Sequence, residues 1–157
     1  MNLILWRHAE AEDGADDMNR ALTGKGRRQA ARMAHWLRTF APTPWTVYAS
    51  PARRTQETVE ALHVPYTTLD ILRPGADAEA VLAAAGWPHA GGTVIVVGHQ
   101  PTLGMASALA VTGKAQPWSV RKGAIHWLLA RHDDGLPPQL RACLSPDLLD
   151  TVSPPAG

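Results

Sequence analysis

The 157-residue chain has a single cysteine, Cys143, so no internal disulfide is possible and a reducing compartment is permitted. Leu149 stands six positions later, where the loop of a cysteine-dependent phosphatase would need an arginine. An excess of one charge is also missing. Fifteen Lys and Arg face fourteen Asp and Glu, for a net charge of +1. Such a balance provides no basic field for nucleic acid, so no nucleic-acid partner is expected and any anion recognition must be local. No Gly-x4-Gly-Lys-Ser/Thr occurs, which excludes a P-loop kinase. The longest stretch free of charged residues runs from Ala80 to Gly113. It is broken by Pro88, His89, His99, Gln100, Pro101 and several glycines, and reads as helix, loop, buried strand, loop and helix rather than as a membrane span. Met1 to Trp6 is too short for a signal-peptide core, and Arg7 follows at once. A soluble, cytoplasmic protein with no membrane partner is expected. His35, His63, His89, His126 and His132 lack ligand spacing, with no pair four apart, so no zinc site is expected.

What is present suits one ordinary globular domain: 45% hydrophobic and 18% charged residues, with mass for a real core. Residues 1–152 are read as that domain and 153–157, with two prolines, as a loose tail. Two stretches share a design. Leu3-Ile4-Leu5-Trp6 runs into Arg7-His8, and Thr93-Val94-Ile95-Val96-Val97 runs into Gly98-His99. Continuous apolar runs of this kind fit strands buried on both faces of a parallel sheet. In open α/β sheets the carboxyl ends of the strands form the ligand crevice, so Arg7, His8 and His99 belong at one mouth.

The remaining chain alternates between the two periodicities. Residues 9–22 are acidic and irregular and read as a loop. Thr23 is placed as the N-cap of a helix reaching about Phe40, with Ala30, Met33, Ala34, Leu37 and Phe40 at helical spacing. Trp45–Ala49 is a short strand. Ser50 at N-cap and Pro51 at N1 start a helix that carries Arg54 in its first turn, beside free backbone N–H groups. Val64–Leu69 is a further strand. A helix near Asp77 turns Ala78, Val81, Leu82 and Ala85 inward and stops at Gly86. The strand at 93–97 follows, then a helix from Gln100-Pro101 to Gly113. Gly123–Ala130 is a late strand, Asp133-Asp134-Gly135 a turn, and Gln139–Leu144 its antiparallel partner at an edge. The expected architecture is an α/β three-layer sandwich: a mostly parallel central sheet, helices on both faces, and a late antiparallel edge strand.

Arg7, His8, Arg54 and His99 thus all follow strands or open the helix after one. Two guanidiniums offer forked donors to phosphate oxygens and two imidazoles can attack or donate. Phosphoryl transfer needs those parts: positioning, positive charge around the equatorial oxygens and an in-line nucleophile. Each residue has a plainer reading, as the polar end of a strand, a loop histidine or a solvated helix face. Their joint occurrence tells against it.

Arg7-His8-Ala9, Ser50-Pro51-x-x-Arg54 with Thr58, and Val97-Gly98-His99-Gln100-Pro101 together resemble the three motifs of the histidine phosphatase superfamily, the phosphoglycerate-mutase-like fold. Leu22-Thr23-x-x-Gly26 and Leu72-x-Pro74-Gly75-x-Asp77 are similar to its phosphohistidine phosphatase branch. The resemblance implies that His8 is the nucleophile and becomes a phosphohistidine. It implies that Arg7 and Arg54 hold the phosphoryl oxygens and that His99 donates to them in the transition state. It implies a metal-independent, cofactor-free phosphatase of phosphohistidine on a partner protein, serving signal transduction. A small-molecule phosphomonoester phosphatase or mutase on the same fold, and a phosphate-binding module without turnover, are the alternatives. Two departures stand out. Ala9 replaces the usual glycine. No clear counterpart exists for the acidic residue that relatives cleaving alkyl phosphates place between the second arginine and the second histidine; Asp70, Asp77 and Glu79 are the candidates. Only 44 residues separate Arg54 from His99. That leaves little room for an insertion to cover a small substrate, and a shallow site suits a side chain presented by another protein.

Overall fold

The structure, a computed structural model, describes residues 1–132 and 135–149. Its centre is a six-stranded sheet in the order β3-β2-β4-β1-β5-β6. β1 (Asn2–Arg7) and β4 (Thr93–Gly98) lie side by side and parallel, with Arg7 paired to Gly98. β2 (Trp45–Ala49) and β3 (Thr67–Thr68) continue the parallel set. β5 (Ile125–Leu129) runs against β1, and β6 (Gln139–Leu144) pairs antiparallel to β5 at the edge. β5 is therefore the one reversed strand, and β6 points the same way as β1.

Alternation along β1 divides the core. Ile4 and Trp6 face α1 (Gly24–Phe40) and α2 (Arg53–Glu60), joining Ala30, Met33, Leu37 and Val59. Leu3 and Leu5 face α3 (Ala78–Ala84) and α4 (Thr102–Thr112), joining Val81, Leu82, Leu103 and Ala106. Leu3 to Trp6 are completely buried, as a strand sandwiched between two helical layers requires. Helices on both faces of the sheet complete the expected sandwich.

Local signals mostly act as read. Thr23 caps α1 by accepting from the Gly26 N–H at 2.9 Å. Asp77 caps α3 by accepting from Ala80 at 3.1 Å. Gly113, left-handed at φ 76°, ends α4. Three readings are corrected. α2 starts later than expected, with Ala52 at its N-cap and no side-chain cap, because the Ser50 hydroxyl is spent on the Ala52 N–H and on His99. The strand expected over 64–69 shrinks to two residues at the sheet edge, where β2 alone offers a partner. The late strand begins at Ile125, because residues 120–124 fold back onto the end of β1: the Arg7 N–H donates to Ala124 O, Gly123 N–H to His8 O and the Trp6 indole to Gly123 O, at 3.0, 2.9 and 3.0 Å. The expected turn at 133–135 falls partly, and the expected tail at 153–157 wholly, outside the described residues. No helix of the described residues is long and apolar enough to cross a membrane.

Candidate active site

All four residues singled out from the sequence converge at the carboxyl ends of β1 and β4. Arg7 closes β1 and His8 follows it, His99 follows β4, and Arg54 lies in the first turn of α2. His8, Arg54 and His99 are 6%, 3% and 4% exposed, and the two imidazole rings lie 5.4 Å apart, centre to centre.

Hydrogen bonding fixes the chemistry of His8. Its Nδ1 lies 2.8 Å from the Ala9 carbonyl, an acceptor only, so Nδ1 carries the proton. Nε2 is left with its lone pair, 3.3 Å from the Arg54 Nε–H that donates to it. Burial pulls the His8 pKa down to about 4, helped by Arg54, Arg7 and Arg20 against the raising effect of the Ala9 carbonyl. The ring is neutral near pH 7. Ala9 itself is buried, its N–H donates to Thr58 Oγ1 at 3.1 Å, and its φ is not in the left-handed region. Alanine therefore fits where glycine was the usual residue.

Arg54 presents two edges. Nε and one terminal nitrogen face the two histidines, with Nη2 3.4 Å from His99 Nδ1. The far edge is held by Asp17: Nη1 donates to its backbone carbonyl at 2.7 Å and Nη2 to its carboxylate at 3.2 Å. On the other side of His99, Nε2 meets Ser50 Oγ at 2.7 Å. Burial, the charge on Arg54 and the neighbouring His8 push the His99 pKa down to about 3. Arg7 is anchored by Nη1 donating to Val120 O at 2.8 Å, and its buried Nε has no hydrogen-bond partner among the described residues. Burial draws both arginines below their ordinary value. The Arg54 fork between two neutral imidazoles, with the charge of Arg7 close by, is what a tetrahedral oxyanion would satisfy.

Arg53, by contrast, points outward and pairs with Glu57 at 3.6 Å. The acid candidates lie apart from the cradle: Asp70 is paired with Arg73, Asp77 caps α3, and Glu79 is exposed in the first turn of α3. Asp17 is the residue that sequence reasoning passed over. It stands in the acidic loop, which is closed by an Ala11–Leu22 bridge and carries a 3₁₀ turn at Asp17–Asn19. Only its place within an acidic run hinted at a role. Among the described residues no cluster of three or more metal-ligating side chains occurs. His89 and His132 stack on each other at 5.2 Å, and His126 pairs with Ser107 at 2.8 Å.

A sequence model of the histidine phosphatase superfamily (branch 1) matches residues 3–73. No curated protein has a matching sequence. Among solved structures, the protein histidine phosphatase SixA complexed with tungstate superposes with a TM-score of 0.81 at 27% identity, covering 95% of this chain and 99% of that one. The phosphoserine phosphatase of Entamoeba histolytica, 18% identical with a TM-score of 0.68 over 92% of this chain and 97% of its own, shares the fold. A relative from Nakamurella multipartitia, assigned as a phosphohistidine phosphatase SixA, is 31% identical over 81% of this chain and 83% of its own, with a TM-score of 0.70. Identity at that level over that much of both chains goes beyond a shared fold: the chain belongs to the histidine phosphatase superfamily.

Proposed function

We propose that this protein hydrolyses phosphohistidine on a partner protein through a covalent phospho-His8 intermediate. The observation that carries the reading is the state of His8, whose free Nε2 faces the Arg54 fork while Nδ1–H is tied to a backbone carbonyl. A histidine held in that tautomer is ready to attack. The phosphoryl group would lie on the Nε/Nη2 edge of Arg54, between the two rings, with the free Nε–H of Arg7 as a further donor. Arg7 and Arg54 supply the positive charge that the equatorial oxygens need, so no metal is required for that task.

Attack forms the Nε2–P bond as the P–N bond to the substrate ring breaks. His99 rests neutral, chiefly through burial and then through the neighbouring charges, but an arriving phosphoryl dianion favours its protonated form. A proton taken up at Nδ1 then points at the phosphoryl oxygens while Nε2–H donates to Ser50 Oγ. Water subsequently cleaves phospho-His8, releasing inorganic phosphate and restoring the lone pair on Nε2.

Two features support phosphohistidine over an alkyl phosphate. Asp70, Asp77 and Glu79 are engaged elsewhere or exposed, so none is placed to protonate an alkoxide, and a protonated imidazole needs no such help. The segment between Arg54 and His99 is used up by the rest of α2, β3, a 3₁₀ turn at Asp70–Leu72 and α3, with no insertion to enclose a small substrate. The two SixA relatives above carry histidine or phosphohistidine in their names. The test is turnover of a phosphohistidine peptide beside a phosphoserine peptide, with and without EDTA. Phosphohistidine is expected to be cleaved much faster, with EDTA without effect. Equal rates on the two peptides, or full loss in EDTA, overturns the reading.

A further inference from the structure

We propose that the Asp17 carboxylate receives the departing imidazole of the substrate, accepting a hydrogen bond from the ring nitrogen that does not carry phosphorus. It thereby selects imidazole over alkoxide leaving groups. The proposal rests on the phosphohistidine reading above and adds a residue and a selectivity to it.

Among the described residues, Asp17 is the only carboxylate hydrogen-bonded or ion-paired to any of the four cradle residues. Its two partners leave it spare capacity. Arg20 donates twice to Oδ1, at 3.1 and 3.0 Å, and Arg54 once to Oδ2 at 3.2 Å; an ionised carboxylate oxygen has two lone-pair sites. Position completes the argument. The phosphoryl group takes the Nε/Nη2 edge of Arg54 and Asp17 borders the Nη1/Nη2 edge, so the two share Nη2 and are neighbours. The Asp17 side chain is 58% exposed, whereas His8, Arg54 and His99 are nearly sealed. A ring that belongs to another protein must stay on the solvent side, opposite the buried attacking nitrogen.

The step balances simply. The substrate reacts as an imidazolium bearing phosphorus on one nitrogen and hydrogen on the other. His8 Nε2 bonds to phosphorus, the P–N electron pair stays on the ring, and neutral imidazole leaves with the N–H that Asp17 holds. Although partial burial opposes it, the hydrogen bonds from Arg20 and the charge of Arg54 hold Asp17 ionised below the usual carboxylate range. An ionised carboxylate favours the cationic phosphorylated ring that reacts, donates nothing to an alkoxide, and repels substrates that carry their own carboxylate.

The test compares wild type, D17N and D17E on a phosphohistidine peptide and on para-nitrophenyl phosphate, whose nitrophenolate leaves without a proton. D17N keeps the backbone carbonyl and a side-chain oxygen for Arg54; it removes the charge and replaces the oxygen facing Arg20 by an amide NH2. It is expected to lower kcat/KM on phosphohistidine by on the order of 100-fold, to leave para-nitrophenyl phosphate within about threefold, and D17E to recover part of the loss. An equal loss on both substrates makes Asp17 a holder of Arg54 only, and no loss on either makes it a bystander; both results overturn the proposal. Wild-type preference for phosphohistidine over phosphoserine is read separately: if it is absent the reading of the site fails, and if it is present while the D17N ratio stays flat only the role of Asp17 fails.

Discussion

Arg53 and Arg54 are adjacent and chemically alike, yet α2 turns one outward to Glu57 and seals the other against two histidines. Their substitutions should differ accordingly. Arg54→Met is expected to lower kcat/KM by about 10²- to 10³-fold, as loss of a charge-stabilising donor does. Arg53→Met should stay within about fivefold, as befits an exposed ion pair. Parallel kinetics on one phosphohistidine peptide check both, and the opposite ranking would assign the cradle to the wrong arginine. His8→Ala should abolish turnover and leave no acid-labile, alkali-stable phosphoprotein after mixing with substrate. Replacing Asp70, Asp77 or Glu79 by its amide should keep phosphohistidine turnover within about an order of magnitude, less than the loss of a true general acid; collapse in one variant would reveal a proton donor in that segment. The four cradle residues were legible because each sits within three residues of an apolar run or a helix-start signal. Asp17 was not, because its partner is Arg54, 37 positions on, and an aperiodic acidic loop announces no fold of its own. Ser50 was half legible: its position marks the entry to α2, but nothing local reveals that the hydroxyl serves His99.

At the level of elements, the cradle depends on a segment that contains none of its four residues. The stretch 118–124 wraps the end of β1 and supplies Val120 O to Arg7. It is positioned in turn by α4 and by Gln100 just before it. Gln100 Nε2 donates to Trp118 O at 2.9 Å, and a Cβ at Gly104 would come within 1.7 Å of that same carbonyl oxygen. Gly104→Ala must push α4 and the stretch apart. It is expected to cost about 1–3 kcal/mol in urea unfolding and to raise KM by loosening Arg7; unchanged stability would mean that the helix shifts freely. Helix periods and caps made α1, α3 and α4 readable. Short β3 and the late start of β5 escaped, because strand ends are set by which neighbour is available rather than by the residues themselves.

For the whole molecule, the buried histidines tie stability to pH. His8, His99 and His126 are all held neutral by burial, with His8 at about 4 and His99 at about 3. In the unfolded chain each takes up a proton near its ordinary value of about 6.5. The folded state therefore has its full advantage above about pH 6.5 and loses it as pH falls toward the folded values, at about 1.4 kcal/mol per pH unit for each group. Melting temperature should drop steadily from pH 7 to 4, and His8→Asn or His99→Asn should flatten that slope. An equally steep profile in both variants would place the acid sensitivity elsewhere.

The strand that leads into His8 precedes every other strand of the sheet in sequence, yet lies at the sheet's centre. Asn2 pairs with Thr93 on one side and Leu129 on the other, so both its ladders close loops on the order of a hundred residues. Such a topology has high contact order and folds slowly, since loop-closure entropy is spent before any ladder repays it. During synthesis β1 leaves the ribosome long before either neighbour exists, and an apolar strand without partners is exposed to mispairing. Nascent chains short of residue 99 contain His8 but lack the imidazole that stands beside it, and those short of residue 120 lack the carbonyl that anchors Arg7.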